Sequence, residues 1–288
     1  MGDGEFHIET MNREELETVL HWARHEGWQT GLNDADAFYH IDPEGLFIGK
    51  IGDELIGSVG GLVYDKLYAF MGLYMVKEAW RGKRYGKALW DAAMMRLDGM
   101  GVKIVGLDGV HEMLLQYEAE GFRPAYDHVR WRYEVNGSEK LLPTVFNASE
   151  KDWNAIAAYE SQYELELRQG FTARWLNIPA SWSMYWADHQ HGEIKGYGAV
   201  RECPGGYRVG PLYAHDVTVA TELFEGLCTQ ANSGGHMFLD VPDVNKVAIR
   251  VAENRGMEKV GSFMRMYRGG IPSVAIDQIF SVRSVEVG

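Results

Sequence analysis

Apolar and polar residues in the first half of the chain follow a strand period in some segments and a helix period in others. Asn12 precedes a segment with apolar residues at helical spacing, and Glu15 stands three residues after it, so a capped helix continuing to Gly27 is predicted. The complete set of predicted elements is strands at 6–11, 45–52, 55–64, 67–76, 103–110 and 128–135 and helices at 12–27, 33–41, 85–100 and 111–121. This order, β-α-α-β-β-β-α-β-α-β, predicts an α/β fold in which a mixed sheet carries helices on both faces.

The second half of the chain repeats the plan of the first. The segment DELIGSVGG at 53–61 resembles GEIKGYGAV at 192–200, and YEAEGF resembles AENRGM further along, in the same order. Matches that recur in order along a chain are typical of a duplicated fold. The polar, turn-rich segment 136–140 is the best candidate for a linker. We therefore divide the chain into an N-terminal half (1–137) and a C-terminal half (138–288), each predicted to be a domain.

Composition and charge restrict the classes of function. The chain of 288 residues has a formal charge of −13, which argues against a general nucleic-acid binder, because such proteins normally present a basic face. Two cysteines, Cys203 and Cys228, are too few for a disulfide framework and favour a reducing, cytoplasmic setting. The sequence contains no apolar run long enough to predict a membrane span. His189 and His191 lie two residues apart without a companion cluster, so no metal site is expected.

A cationic, glycine-containing segment, AWRGKRYGKALW at 79–90, follows the third strand of the apolar series and leads into a predicted helix. Backbone N–H groups at a helix start attract phosphate, and glycine lets the ligand approach the backbone closely. The segment is not a Walker A loop, because Arg81 takes the place of the first glycine and Ala88 replaces the Ser or Thr. The glycine spacing of a Rossmann fingerprint is also absent. An anion site of another kind is therefore predicted here.

The spacing of this segment resembles the pyrophosphate loop of the GCN5-related N-acetyltransferases, Gln/Arg-x-x-Gly-x-Gly/Ala. LYMVKEAWRGKRYGKAL is similar to that family's fourth strand, loop and third helix, and YEAEGF is similar to its Tyr-x-x-x-Gly-Phe element. The resemblance extends over roughly residues 6–136. It departs from the family pattern at Arg84, which stands where the first glycine is expected, and at Val110, where the family often has Asn.

The resemblance implies a binding site for acetyl-CoA and no metal. The pyrophosphate would lie on the backbone of residues 82–87 and the pantetheine arm beside the fourth strand. The implied cofactor-binding residues are Met75, Val76, Arg81, Gly82, Lys83, Arg84, Tyr85, Gly86 and Lys87. Tyr117 takes the position of a phenol that protonates the leaving thiolate. Asp108 and Glu112, near the end of the predicted strand 103–110, are the nearest acidic candidates for the general base.

The C-terminal half lacks the corresponding loop. The segment GPLYAHDVTVATELF stands in its place without a cation after Leu212, and Ala252 replaces the tyrosine at the Tyr117 position. This half resembles the degenerate C-terminal domain of a bacterial tandem group, the YitH-like proteins. Two roles are open for it, enclosure of the substrate or structural support of the first sheet. Candidate acceptor-binding residues are Trp28, after the first helix, and Tyr213 among the aromatic residues of this half.

The resulting functional hypothesis is an acetyl-CoA-dependent N-acetyltransferase that is active in the N-terminal half. It would acetylate the primary amine of a small molecule by direct attack, without a covalent enzyme intermediate. Two alternatives stay open: a non-catalytic acyl-CoA-binding regulatory protein, and an acetyltransferase acting on protein lysines or N-termini. Neither nucleic acid nor membrane is expected as a partner.

Overall fold

The computed structural model describes residues 4–163, 169–188 and 192–288. The helices and strands of the N-terminal half follow the predicted order: β1 (Phe6–Thr10), α1 (Arg13–His25), α2 (Ala35–Tyr39), β2 (Leu46–Ile51), β3 (Glu54–Val63), β4 (Tyr68–Val76), α3 (Tyr85–Met100), β5 (Ile104–Gly109), α4 (Leu114–Ala119) and β6 (Arg123–Glu134). The predicted capping box is present at the start of α1. There Asn12 Oδ1 accepts the Glu15 N–H at 2.9 Å, and Glu15 Oε2 accepts the Asn12 N–H at 2.8 Å.

The C-terminal half has a similar sequence of elements: β7 (Val145–Asn147), α5 (Trp153–Glu160), α6 (Gln169–Leu176), β8 (Ser181–Ala187), β9 (Ile194–Cys203), β10 (Gly206–Ala214), α7 (Val217–Cys228), β11 (His236–Pro242), α8 (Lys246–Asn254), β12 (Glu258–Arg268) and β13 (Ile279–Ser281). Its three long antiparallel strands β8, β9 and β10 correspond to β2, β3 and β4. The predicted linker lies in the connection between β6 and β7.

The strands of the two halves form one continuous sheet with the order β1-β2-β3-β4-β5-β12-β6-β11-β10-β9-β8-β7, and β13 pairs with β10. The last long strand of each half is exchanged, because β12 pairs with β5 and β6 pairs with β11, both antiparallel. The exchanged strands β6 and β12 also pair with each other. The mixed α/β architecture is confirmed, and the exchange joins the two predicted folds into a single sheet.

The two faces of the N-terminal sheet bury different cores. The side that we call the α3 face packs α3 and α4 against residues such as Met71 and Leu107. The opposite side, the α1 face, packs α1 and α2 together with Leu73 against Phe171 and Trp175 of the C-terminal half. The C-terminal half therefore covers the face of the N-terminal sheet that α3 leaves free.

Candidate active site

A cleft opens between β4 and β5. The two strands pair in parallel only from Tyr68 with Ile104 to Met71 with Leu107, and beyond that point β4 continues to Val76 paired with β3 alone. The backbone edge of β4 from residue 72 onward is thus free of strand pairing on its β5 side. We call this opening the β4–β5 cleft.

A β-bulge lies in β4 at the cleft. Val59 of β3 stands opposite both Leu73 and Tyr74, because the register shifts between Ser58 and Gly60. Leu73 has a left-handed backbone with φ of 49°, and its carbonyl accepts a hydrogen bond of 2.7 Å from the buried Ser58 hydroxyl. A left-handed leucine is strained by about 1–2 kcal/mol, and bulges with such residues are common beside active sites.

The start of α3 borders the cleft and has no side-chain cap. Arg84, the residue before α3, makes no capping hydrogen bond, and the first helical bond runs from the Ala88 N–H to the Arg84 carbonyl. The N–H groups of residues 85–87 therefore have no partner within the helix. Arg84 has φ of 66° and Gly82 has φ of 76°. Arg84 thus adopts the left-handed conformation that the glycine of the family pattern adopts without strain.

The four cations of the loop fall into two pairs. Arg81 donates from Nε to the Val76 carbonyl at 2.8 Å and from Nη2 to Glu26 at 2.7 Å, so it ties the loop to the end of β4. Lys87 pairs with Asp91 and Glu120, and its hydrogen bond to Asp91 is the main cause of its raised pKa.

The other two cations, Lys83 and Arg84, are exposed, and within the described ranges no carboxylate lies at ion-pair distance from either. Lys83 rests over the Trp80 ring, with Nζ 4.5 Å from its centroid. These two side chains are available to an anionic ligand at the start of α3.

Gly86 allows α3 to approach the end of β4. A Cβ at this position would lie 2.7 Å from the Tyr74 hydroxyl and 3.3 Å from a methyl group of Val76. The second fixed glycine of the sequence pattern is thus required by packing, and it holds the helix start beside Met75 and Val76.

Tyr117 lies on α4 at the α3 face of the cleft. Its ring is 5.4 Å from that of Trp90, and it covers Gly109, where a Cβ would approach the ring to 2.5 Å. Burial raises the pKa of Tyr117 well above its ordinary value, so the phenol stays protonated at neutral pH. Its hydroxyl makes no hydrogen bond with any residue of the described part of the chain.

The two base candidates occupy opposite environments. The side chain of Asp108 is fully buried and accepts hydrogen bonds of 2.7 Å from Nε and Nη2 of Arg265. Although burial alone would raise its pKa, Arg265 and His128 outweigh that effect and lower the pKa to about 2. Such a carboxylate is a weak proton acceptor. Glu112 is exposed on the short 3-10 turn His111–Met113.

His128 contacts Asp108, although its sequence context is that of an isolated histidine. Its Nδ1 lies 3.0 Å from Asp108 Oδ1, and its ring is fully buried. The two residues meet because β12 inserts between β5 and β6, which no local sequence pattern indicates.

The two acceptor-site candidates lie on the α1 face. Trp28 is half-buried after α1 and packs against the core shared with the C-terminal half. Tyr213 is buried on β10 and contributes to a cavity of about 50 Å³ whose wall includes Tyr68, Tyr126 and Tyr267. The structure therefore brings Tyr213 together with strands β4, β6 and β12, while Trp28 is not part of that cavity wall.

The corresponding cleft in the C-terminal half is filled by the chain itself. Strands β10 and β11 pair in parallel only at residues 207–209, after which β13 pairs with β10. Ser281 of β13 donates to the Val209 carbonyl at 2.9 Å and accepts the Asp240 N–H at 3.1 Å. This closed cleft has no room for a bound chain from outside.

The helix start beside the closed cleft is also occupied. Asp216 caps α7 by accepting the N–H groups of Thr218 at 2.8 Å and Val219 at 3.0 Å. These are the amides that a phosphate would need. Ala252 is buried on α8, so the side chain at the Tyr117 position carries no hydroxyl. In this half Asp216 thus occupies the helix start, β13 fills the cleft and Ala252 stands in place of the phenol.

No helix among the described residues is long and apolar enough to cross a membrane. The same residues contain no group of three or more side chains arranged to hold a metal ion. His189 and His191 lie outside the described residues.

Two family models match the chain. Residues 13–114 match the acetyltransferase (GNAT) family, and residues 165–281 match an acetyltransferase (GNAT) domain. Holothin acyltransferase of Pseudoalteromonas sp. (strain SANK 73390) is 29% identical over 282 residues, which cover 96% of this chain and 92% of the relative.

Solved structures share the fold over nearly the full length. A putative acetyltransferase from Pyrococcus horikoshii has a TM-score of 0.75 at 19% identity, with 100% of this chain and 97% of that chain covered. A tandem GNAT protein from the clavulanic acid biosynthesis pathway has a TM-score of 0.66 at 13% identity, with 93% and 100% covered. With two matched domains in one sheet, one cleft open and the other filled, the chain belongs to the GCN5-related N-acetyltransferase superfamily as a tandem member.

Proposed function

We propose that the protein is an acetyl-CoA-dependent N-acetyltransferase whose N-terminal half transfers an acetyl group to the primary amine of a small molecule. The observation that carries the proposal is the difference between the two clefts. The β4–β5 cleft is open and lies beside an uncapped helix start, whereas the second cleft is filled by β13 and its helix start is capped by Asp216.

The residues around the open cleft fit an acyl-CoA. The N–H groups of residues 85–87 and the side chains of Lys83 and Arg84 would hold the pyrophosphate. The unpaired edge of β4 at Met75 and Val76 would pair with the pantetheine amides. Acetyl-CoA supplies the thioester that acylates the amine.

The chain's own groups account for the steps of the transfer. The side-by-side arrangement of the cleft and the α1 face orients the amine toward the thioester carbonyl. A backbone N–H near Met75 would stabilise the negative charge that develops on the carbonyl oxygen. Tyr117, held in its protonated form by burial, would give its proton to the leaving thiolate. The relative named as an acyltransferase supports acyl transfer as the chemistry.

The cover over the α1 face favours a small acceptor. Phe171 and Trp175 of the C-terminal half pack there, and Tyr213 closes the cavity against β4 and the exchanged strands. A protein acceptor would need an open groove at this face. The C-terminal half would then enclose the acceptor, one of the two roles predicted for it. Because Cys203 and Cys228 are both buried free thiols, a reducing, cytoplasmic location is part of the proposal.

The test measures amine-dependent release of free CoA thiol from acetyl-CoA, with tyramine, spermidine, D-glucosamine, L-lysine and a lysine-containing peptide as acceptors. We expect turnover with at least one small amine and its acetylated product by mass spectrometry. Binding of acetyl-CoA without any amine-dependent thiol release would instead support the regulatory alternative, and turnover of the peptide alone would support a protein acceptor.

Charge reversal tests the loop separately. Lys83→Glu should weaken acetyl-CoA binding by about tenfold or more, because a charge-assisted contact contributes roughly 1.5–3 kcal/mol. Lys66→Glu, an exposed lysine between β3 and β4, is the matched control and should leave the affinity unchanged. Equal affinities for both variants and the wild type would contradict the assigned pyrophosphate site.

A further inference from the structure

We propose that His21 and His25 on α1 form a binding site for a divalent transition-metal ion, and we assign Zn²⁺ as the ion. The inference goes beyond the proposed acetyl transfer and does not depend on it, because neither histidine is among the residues assigned to that reaction. It revises the expectation that the chain holds no metal.

The two histidines lie one turn apart on one face of α1, which extends from Arg13 to His25. Side chains at positions i and i+4 of a helix are neighbours on its surface. Two histidines at this spacing also hold zinc in the H-E-x-x-H motif. Here Trp22 stands where that motif has its glutamate, so the spacing predicts a pair of metal ligands without the motif's general base.

The structure brings the Nε2 atoms of the two rings together. They are 3.1 Å apart, whereas the ring centroids are 4.5 Å apart, so the rings meet at the edges that carry Nε2. This separation and metal–nitrogen bonds of about 2.0–2.1 Å give a nitrogen–metal–nitrogen angle of about 95–100°. Such an angle lies between the octahedral and the tetrahedral value. One ion can therefore bind both nitrogens while the helix backbone stays as it is.

The contact between the rings is a hydrogen bond that a metal ion can replace. It needs a proton on Nε2 of one ring and the lone pair of Nε2 on the other. When the ion binds, the donor ring carries its proton on Nδ1 instead, and both Nε2 lone pairs bind the metal. Because both residues are exposed, water can accept the Nδ1–H groups and fill the remaining coordination positions.

The end of α1 favours a cation at this place. His25 is the last helical residue and Glu26 follows it as the C-cap, so the pair lies where the last carbonyl groups of the helix carry partial negative charge. Arg24, the cation next to the pair in sequence, donates from Nη1 to the Gly31 carbonyl at 3.4 Å. The acidic chain, with its formal charge of −13, also attracts cations in general.

Within the described ranges, no other two histidine rings contact each other. His40, for example, is exposed at the end of α2 and has Asp36 as its partner, with Nδ1 2.7 Å from the backbone carbonyl and 3.6 Å from the carboxylate. Cys203 and Cys228 are buried free thiols. The α1 pair is thus the exposed set of nitrogen ligands that the described structure offers to a zinc ion.

A bound ion would join the last two turns of α1, which support the phosphate-binding loop. Glu26 accepts the hydrogen bond of 2.7 Å from Arg81 Nη2, and Lys77 Nζ lies over the Trp22 ring, 4.8 Å from its centroid. Both contacts reach the segment between the end of β4 and α3. The role that we assign to the metal is therefore to stabilise the end of α1, and no step of the acetyl transfer is assigned to it.

The test is a calorimetric titration of Zn²⁺ into the full-length protein, without an affinity tag and after removal of bound metal with a chelator. It compares the wild type with His21→Gln and His25→Gln, and His40→Gln is the matched control. Glutamine is a good helix former and all three positions are exposed, so each variant should fold. Loss of either α1 histidine should weaken binding at one site by about tenfold or more, because even an outer-shell partner contributes about 10–100-fold. The control should bind as the wild type does.

Two results would overturn the site. One is an equal Zn²⁺ affinity of the wild type and both α1 variants, and the other is binding of Mg²⁺ as tight as that of Zn²⁺, because Mg²⁺ prefers oxygen ligands. Thermal unfolding provides a second measurement. Zn²⁺ at about 100 times its dissociation constant should raise the melting temperature of the wild type and the control more than that of the α1 variants, and an equal rise in all four would contradict the site. Neither measurement involves turnover, so failure here leaves the acetyltransferase proposal intact.

Discussion

Replacement of Tyr117 by phenylalanine should separate turnover from stability. The hydroxyl has no hydrogen-bond partner among the described residues, so its removal leaves no buried group unsatisfied and should change the free energy of unfolding by no more than about 0.5 kcal/mol. The ring keeps its contacts with Trp90 and Gly109. Acetyl-CoA affinity should therefore be retained.

Turnover should fall in the same variant. Without the phenol, the thiolate must leave unprotonated or take its proton from water, and loss of a general acid lowers rates by roughly 10²–10⁴-fold. Because the pKa of Tyr117 is raised by burial, the wild-type enzyme should lose activity through this group only in strongly alkaline solution. The assay is thiol release at saturating acetyl-CoA, combined with thermal unfolding of the same samples.

Tyr133→Phe is the matched control for this experiment. Tyr117 and Tyr133 are equally exposed, at 9%, but the Tyr133 hydroxyl donates to Glu139 at 2.7 Å and lies outside the cleft. The control should lose about 1–2 kcal/mol of stability and keep its turnover. Wild-type turnover by Tyr117→Phe would refute the assignment of Tyr117 as the acid, and a loss of stability as large as that of the control would contradict the absence of a hydrogen-bond partner for its hydroxyl.

Three further predictions test the site and its supports. Gly109→Ala places a methyl group 2.5 Å from the Tyr117 ring, so the variant should lose about 1–3 kcal/mol of stability and also turnover. Its control, Gly99→Ala in α3, has open space around it and should gain up to about 1 kcal/mol. An unchanged stability of Gly109→Ala in thermal unfolding would contradict the packing. Arg84→Gly should weaken acetyl-CoA binding, and the effect should depend on salt. Stability should change little, because relief of the left-handed backbone strain offsets the greater conformational freedom of glycine in the unfolded chain. An affinity equal to wild type in titrations at low and high salt would count against a phosphate contact. The pKa of Asp108 is lowered from 3.8 to about 2, so its contribution to stability is present above pH 3.8 and is lost as the pH falls toward 2. Asp108→Asn should therefore reduce the loss of stability over this acid range, and an unchanged acid-unfolding curve would disprove the ion pair.

Local patterns identified the elements of the N-terminal half and the loop at α3. The cap at Asn12 and the spacing of the apolar residues depend on neighbours in sequence, and the capping box and the order of the elements are as predicted. The left-handed backbone of Arg84 explains the departure from the glycine pattern, but the residue type alone gave no sign of it.

Long-range pairing set the limits of what the sequence could predict. The contact of His128 with Asp108, the burial of Asp108 against Arg265 and the filling of the second cleft by β13 all depend on which strands become neighbours. The residues involved are separated by tens of residues or more along the chain, and their local patterns are those of ordinary strands. Asp108 therefore looked like a possible base in the sequence, although its charge is matched by Arg265 in the structure.

The exchange of β6 and β12 has a consequence for synthesis at the ribosome. When the N-terminal half has emerged, the outer edge of β5 has no neighbour until residues 258–268 of β12 are made. Until then this edge of β5 is a row of unpaired backbone groups, and such an edge can pair with another nascent chain. Closing the sheet over so long a separation along the chain also slows folding. The first half should thus stay a chaperone client until the ribosome has almost finished, and a fragment ending near residue 137 should aggregate when it is expressed alone.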